Sequence, residues 1–496
     1  MHACDLSAFE ARRLLTTKQL SAVELTESCL ARVEATNPAV NALVAQDVDA
    51  MHRDARSAQR AIDQGEPLGA LHGLPLCVKD MVDVSGLPTT FGSQIYADNV
   101  AQGDDPMVAQ LRQAGAVVMG KTNNPEWSAG GNTRNAVYGV TANPFDVTRS
   151  AAGSSGGSAV ALACGMAPLA TGSDTGGSLR SPAAFCGVVG FRPSPGLVPG
   201  HGRALGWLPM SLNGPMARTV EDASLMLSTM IRPDRRDPWT PVVEGQPVYT
   251  PEAFRQLPRV DLCSQRVAFT PDFGFAMTER LIKESFNDKL SRFGHVFARL
   301  DDTHPACSNA DDTFAVIRAL CFSGIHRDLL QKYPDKVGPN VRDNVREGGS
   351  YSALDVVRAL TNQQQLYRDW QVFFEHHDFI LTPTTTISPR DWHELYPSEI
   401  DGEPTQSYYH WLSMAYASTL AGHPSVTLPT GRDQNGMPFG LQIIGRRGSD
   451  LQTLAFAREL ETLFIGDAML ERPKVDLAYL AQVEPLSSAE GFIGFA

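Results

Sequence analysis

The spacing of apolar residues changes along this chain, and each change predicts a different kind of structure. Over the first sixty-odd residues the spacing is helical: Leu25, Cys29, Leu30 and Val33 share one helix face. Ser7-Ala8-Phe9-Glu10 and Ser21-Ala22-Val23-Glu24 both match the capping box, in which side chains satisfy free N–H groups at a helix start. Residues 1–65 are therefore expected to form a helical layer. From residue 66 to about 230, short unbroken apolar runs alternate with glycine turns and helices. Residues 75–78 and 116–119 read as buried strands. Asp105-Pro106 predicts a helix start, since proline suits the first helical position, and Gly115 predicts its end. Residues 158–164 read as a small-residue helix stopped by Gly165. Residues 231–375 are more polar and mostly helical, with Val356, Leu360, Leu366 and Trp370 on helical segments, and read as an insertion. Strand texture returns over 376–470, where 379–383 is a buried run and 426–429 and 440–445 flank Asn435-Gly436, a hairpin turn signal. Residues 471–496 are a weakly patterned tail. The alternation predicts an α/β fold, a sheet covered by helices on both faces.

Composition narrows the class. The chain has 496 residues, 43% of them apolar, enough for a large core. A formal net charge of −13, with no Lys/Arg-rich tract, argues against a nucleic-acid partner. The eight cysteines are scattered with no Cys-x-x-Cys pair, so neither a zinc site nor a disulfide framework is indicated and a reducing, cytoplasmic compartment is expected. Met1-His2-Ala3-Cys4-Asp5 lacks the basic start and apolar run of a secretory leader. No stretch reaches the ~18 unbroken apolar residues of a membrane span. No membrane partner is expected.

Several motifs compete for the chemistry. Gly115-Ala116-Val117-Val118-Met119-Gly120-Lys121-Thr122 satisfies the phosphate-loop pattern, but its middle reads as a strand and Pro125 blocks an immediate helix. Gly153-Ser154-Ser155-Gly156-Gly157 fits the nucleophile elbow with Ser155 central and His423 as the best-placed histidine, yet no convincing buried strand precedes it. Ser-x-x-Lys and His-Glu-x-x-His are both absent. There remain Lys79, at the end of the apolar run 74–78, and two glycine-serine clusters, 153–158 and 172–178. Serines in glycine-rich turns can be exposed nucleophiles. A lysine in apolar surroundings can be made basic. Successive N–H groups of Thr175, Gly176, Gly177 and Ser178 could stabilise a tetrahedral oxyanion.

These residues together resemble the amidase signature family. The match includes Gly73-Leu74-Pro75 with Lys79-Asp80, then Gly120-Lys121-Thr122-Asn123, Gly139, Asn143-Pro144 and the cluster Gly153-Ser154-Ser155-Gly156-Gly157-Ser158. It continues through Asp174-Thr175-Gly176-Gly177-Ser178-Leu179-Arg180-Ser181-Pro182-Ala183 and Gly187-Val188-Val189-Gly190-Phe191-Arg192-Pro193, with weaker matches at Thr382-Pro383-Thr384 and over 424–445. The resemblance implies a large mixed β-sheet wrapped by helices and a serine amidohydrolase of small-molecule amides. It implies a triad of Ser178 as nucleophile, Ser154 as bridging serine after a cis peptide bond, and Lys79 as base. No metal or organic cofactor is required by that chemistry. Ser155, Asp174 and Arg180 are expected as supporting residues. Met81, Trp127, Ser128 and Ala129 are candidates for the substrate pocket, and 231–375 for the side that shapes the substrate. A hydrophobic or aromatic amide is the preferred substrate, with esters and carbamates also open. Two alternatives are the glutaminase component of a tRNA-dependent amidotransferase and a non-catalytic binding protein on the same scaffold. Many members are homodimers; the oligomeric state is left open.

Overall fold

The computed structural model describes residues 2–200 and 202–495. Its centre is an eleven-stranded sheet. The strands are β1 (Leu43–Ala45), β2 (Pro75–Lys79), β3 (Val117–Thr122), β4 (Leu169–Asp174), β5 (Val189–Arg192), β6 (Leu212–Ala217), β7 (Arg266–Phe269), β8 (Arg299–Asp302), β9 (Phe379–Pro383), β10 (Ser425–Arg432) and β11 (Pro438–Gly445). They run in the order β1-β3-β2-β4-β6-β5-β10-β11-β9-β7-β8. Two parallel stretches, β3-β2-β4 and β9-β7-β8, lie toward the two ends of the sheet, and the strands between them pair antiparallel. The sheet is mixed, as the family resemblance implies.

Strands β2 and β3 are buried at every position. A parallel strand covered on both faces reads as an unbroken apolar run, which is why these two were legible in the sequence. Helices α1 (Ala8–Thr16), α2 (Ala22–Val40), α3 (Val48–Gln64), α4 (Pro106–Gln113), α5 (Gly156–Ala163), α6 (Arg180–Cys186) and α7 (Val220–Met230) precede β7. Helices α8 (Arg280–Phe293), α9 (Ala310–Lys332), α10 (Pro339–Ser350), α11 (Ala353–His376), α12 (Ser413–Ala421) and α13 (Asp450–Phe464) follow it. Both faces of β11 are covered. A side chain at Gly440 would strike Ala184 of α6, and one at Gly445 would strike Thr453 of α13. Five residues apart on a strand, these two positions point to opposite faces.

Local signals fared well where the chain supplies its own partners. Asp105 caps α4 through the Met107 N–H at 2.8 Å. Gly436, at φ +78°, turns the chain between β10 and β11. Ser21 and Glu24 form a complete capping box, whereas at Ser7 only half of the box exists: Ser7 accepts from Glu10 and receives nothing in return. Two expectations need correction. The N-terminal segment is not helical throughout, because β1 joins the edge of the sheet beside β3. Nor is 231–375 a layer apart from the sheet: it carries α8 to α11 but also β7 and β8, which pair in parallel with each other, β7 pairing also with β9. A four-residue strand at a half-covered edge, such as Arg299–Asp302, has too little apolar content to stand out from its polar neighbours.

Candidate active site

The site forms where neighbouring parallel strands end. Strands β2 and β4 pair Leu76 with Leu169 and Cys77 with Ala170, so Lys79 and the Ser173-Asp174 end of β4 emerge side by side. Ligands of open α/β sheets gather at such carboxyl ends. The Lys79 backbone is tied across this step by a hydrogen bond from its N–H to Thr171 Oγ1 at 2.9 Å. The glycine-serine cluster 153–158 enters from the loop before α5. There the Gly153–Ser154 peptide bond is cis.

These loops bring Lys79 onto two hydroxyls. Its Nζ donates to Ser154 Oγ at 2.7 Å and to Ser173 Oγ at 2.9 Å. Lys79 and Ser154 are fully buried. Burial pushes the lysine down from its ordinary 10.5 to about 7, against a weaker upward pull from the Asp174 carboxylate. Lys121 makes the contrast plain. It is equally buried but ion-paired with Asp80 at 3.0 Å, and it also donates to Thr89 Oγ1 and Pro88 O. The phosphate-loop pattern is thus a strand whose lysine is consumed by a core ion pair.

Ser178 is half-buried and lines the same cleft as Ser154 and Ser173. The loop that presents it is held from below by Asp174. That carboxylate accepts from the N–H groups of Gly177 (2.9 Å) and Leu179 (3.1 Å) and from Arg180 Nε and Nη2, both at 3.0 Å. Arg192 contacts the Asp174 carboxylate and its backbone carbonyl. Burial alone would favour protonated Asp174, but the two guanidinium groups and the N–H donors win and hold it well below the usual carboxylate range. Arg180 continues to Ala415 O, Ser418, Thr419 and Gln442, which locks the loop to α12 and β11. Ser155, at the start of α5, is fully buried. Its N–H donates to Ser178 O at 3.2 Å, and its Oγ lies 3.3 Å from Ser173 N.

Two sequence expectations change, and one motif that the sequence disfavoured does not form. The Gly177 N–H is spent on Asp174, so of the four expected oxyanion donors only Thr175, Gly176 and Ser178 have N–H groups without a partner among the described residues. Ala129 does not line the cleft. It packs behind the wall against Val337 and Val341, and its carbonyl accepts from Asn340. Met81, Trp127 and Ser128 do line it. His423 stands away from the serine cluster, hydrogen-bonded to Gly445 O at 2.8 Å and to Gln371, and packed on Trp370 and Phe374. Burial drives it down to about 4. The elbow with Ser155 and His423 therefore does not assemble.

The cleft measures about 490 Å³ and is mostly apolar. One wall is the stripe Phe314, Arg318, Phe322 and His326 of α9. Another is made by Val198, Leu205, Leu208 and Met210. Sequence reasoning expected 231–375, where α9 lies, to shape the substrate side, but it named none of these wall residues, nor Ser173. The four-residue step from 314 to 326 was a readable signal of one helix face. What that face would look at was not readable.

Fold and site define a class of protein, and the comparisons agree on it. Residues 24–454 match the protein family described as Amidase, and the chain belongs to that family. It is 34% identical over 471 residues to an acylamidase of Rhodococcus erythropolis, covering 92% of this chain and 95% of that protein. It is 32% identical over 479 residues to a glutamyl-tRNA(Gln) amidotransferase subunit of Symbiobacterium thermophilum, covering 91% and 95%. The crystal structure of a bacterial aryl acylamidase of the amidase signature family superposes with a TM-score of 0.83 at 28% identity, over 91% of this chain and 95% of that one. The chain is an amidase signature hydrolase, acting on carbon–nitrogen bonds other than peptide bonds. Among the described residues no helix is long and apolar enough to cross a membrane.

Proposed function

We propose that the protein cleaves a hydrophobic or aromatic small-molecule amide through a serine acyl-enzyme, with Lys79, Ser154 and Ser178 as the relay. The observation that carries this reading is the buried Lys79 amine, set against Ser154 with no ion-pair partner among the described residues and brought to about 7. A lysine poised near neutrality is a competent general base. With the amine neutral, the 2.7 Å contact can run in reverse, Ser154 donating its proton to the lysine lone pair. Ser154 then takes the Ser178 proton as the Ser178 oxygen attacks the amide carbonyl. The oxyanion is received by the N–H groups of Thr175, Gly176 and Ser178. Collapse breaks the C–N bond, and the departing amine takes its proton back along the relay. Water then attacks the ester, passes a proton to the relay and releases the acid and Ser178. In this reading Asp174, Arg180 and Ser155 hold the loops and do not touch substrate.

The apolar cleft favours a hydrophobic amide, and similarity to an acylamidase supports it. Esters and carbamates share the same acyl chemistry. Similarity at 32% to an amidotransferase component keeps glutamine hydrolysis as the second reading. The eight unpaired cysteines support a reducing, cytoplasmic setting. The test is intact-mass analysis with a fluorophosphonate, followed by peptide mapping and an aryl-amide and glutamine panel. An adduct on Ser178 that disappears in Lys79→Ala is expected, with turnover of the aryl amides. An adduct on Ser155, or one that Lys79→Ala leaves unchanged, would overturn the relay.

A further inference from the structure

His326 is a buried titratable group that the relay does not use. It sits on α9, only 4% exposed, yet it lines the cleft. Its ring packs on Trp127, centroids 4.8 Å apart, and on Phe322 at 5.4 Å. Neither ring nitrogen has a hydrogen-bond partner among the described residues, and Nδ1 is sealed from solvent. A buried polar group left unsatisfied calls for an explanation, and at the wall of a cleft a bound ligand can supply the missing partner. The nearby Arg318 is partnered except at Nε. Its guanidinium is already engaged by Glu347 and Tyr408 and lies 3.7 Å above the ring of Tyr409.

The protonation of the ring follows from its surroundings. Burial drives His326 down to about 4, so the ring is neutral at any ordinary assay pH. A neutral imidazole carries one N–H. Placing it on Nδ1 would bury a donor with no acceptor in reach, and orphaned N–H groups are rarer in folded proteins than under-used acceptors. The proton therefore belongs on Nε2, the nitrogen not sealed away. An apolar wall of Trp127 and Phe322 with a neutral donor between them suits an aromatic ring bearing an uncharged acceptor.

We infer that His326 is a specificity-determining residue, donating a hydrogen bond to a neutral acceptor, such as a carbonyl oxygen, carried on an aromatic part of the amide substrate. This rests on the amide-hydrolase reading above and narrows it from hydrophobic amides to acceptor-bearing aryl amides. Charged substituents are disfavoured, because the neutral ring offers no counter-ion.

The experiment compares aryl amides carrying an acetyl group with partners carrying an isopropyl group of similar shape, on either the acyl or the amine ring. Wild type is expected to prefer the acetyl member on one of the two rings by about tenfold in kcat/KM, the scale of one neutral hydrogen bond. His326→Phe, which keeps the aromatic packing, should bring that ratio to within about twofold by lowering the acetyl member alone. His326→Gln, which retains an N–H donor, should recover part of it. No preference in wild type at either ring, or an equal loss for both members in His326→Phe, overturns the inference. Fluorophosphonate labelling of the same preparations separates the two failures. Label on Ser178 without the preference sinks the role of His326 alone; absence of label with absence of turnover sinks the hydrolase reading beneath it.

Discussion

Lys79 trades stability for basicity, and the trade can be measured. An amine held near 7 when its ordinary value is 10.5 has lost about 5 kcal/mol of charged-state stabilisation on burial. Replacing it with methionine, of similar length and no charge, removes that penalty. The replacement also strands the hydroxyls of Ser154 and Ser173, at about 1 kcal/mol each. Lys79→Met is therefore expected to be inactive yet more stable than wild type, by about 3 kcal/mol at pH 6. The pH dependence gives a sharper test. Below about 7 the lysine is protonated both folded and unfolded, so wild type bears the whole penalty. Between about 7 and 10.5 the folded protein has lost the proton and the unfolded chain still binds it. Wild-type stability then rises with pH relative to the variant, by about 1.4 kcal/mol per pH unit. Above 10.5 the penalty is gone and only the lost hydrogen bonds distinguish the two. Urea unfolding of both proteins at half-unit steps from pH 6 to 9.5 measures this directly, with equal m-values as the control. A stability difference that stays flat across that range would refute a depressed Lys79. So would a variant already less stable than wild type at pH 6.

Other expectations follow from the same geometry. The acid limb of kcat/KM should fall with an apparent value near 7, since protonated Lys79 cannot accept a proton, and His423→Gln should leave that limb in place. Asp174→Asn leaves Arg180 and Arg192 buried without their counter-charge and should cost about 3–5 kcal/mol in chemical unfolding. A neutral effect there would mean that the loop is not held by this carboxylate. Gly177 sits at φ +112°, and a Cβ on it would lie 2.7 Å from Ala415 Cβ and 2.8 Å from Ser181 Oγ. Gly177→Ala should therefore lower kcat by displacing the adjacent N–H groups, with KM changed much less.

Elements whose cause is local were legible in the sequence. Strands β2 and β3 are covered on both faces, so their side chains need not alternate and the runs stand out. Caps at Asp105 and Ser21 and the turn at Gly436 are made by residues within a few positions of one another. The glycine-serine clusters could be singled out for a related reason: a backbone that approaches a reacting carbonyl leaves little room for side chains, and composition records that.

Contacts between distant segments decided the rest. Lys79 reaches Ser154 across 75 positions and Ser173 across 94. Whether a lysine is a base or half of an ion pair depends on which carboxylate the fold places beside it, and Lys79 and Lys121 look alike in sequence. The expected oxyanion loop shows the same limit. A run of glycines promises free N–H groups, yet only the folded position of Asp174 shows that the Gly177 N–H is already taken. Strand β1, the two strands of 231–375, the cleft-facing stripe of α9 and the isolation of His326 lie further from anything local. Periodicity tells which residues share a face. What that face meets, and whether a buried nitrogen finds a partner there, is fixed by packing between segments hundreds of residues apart.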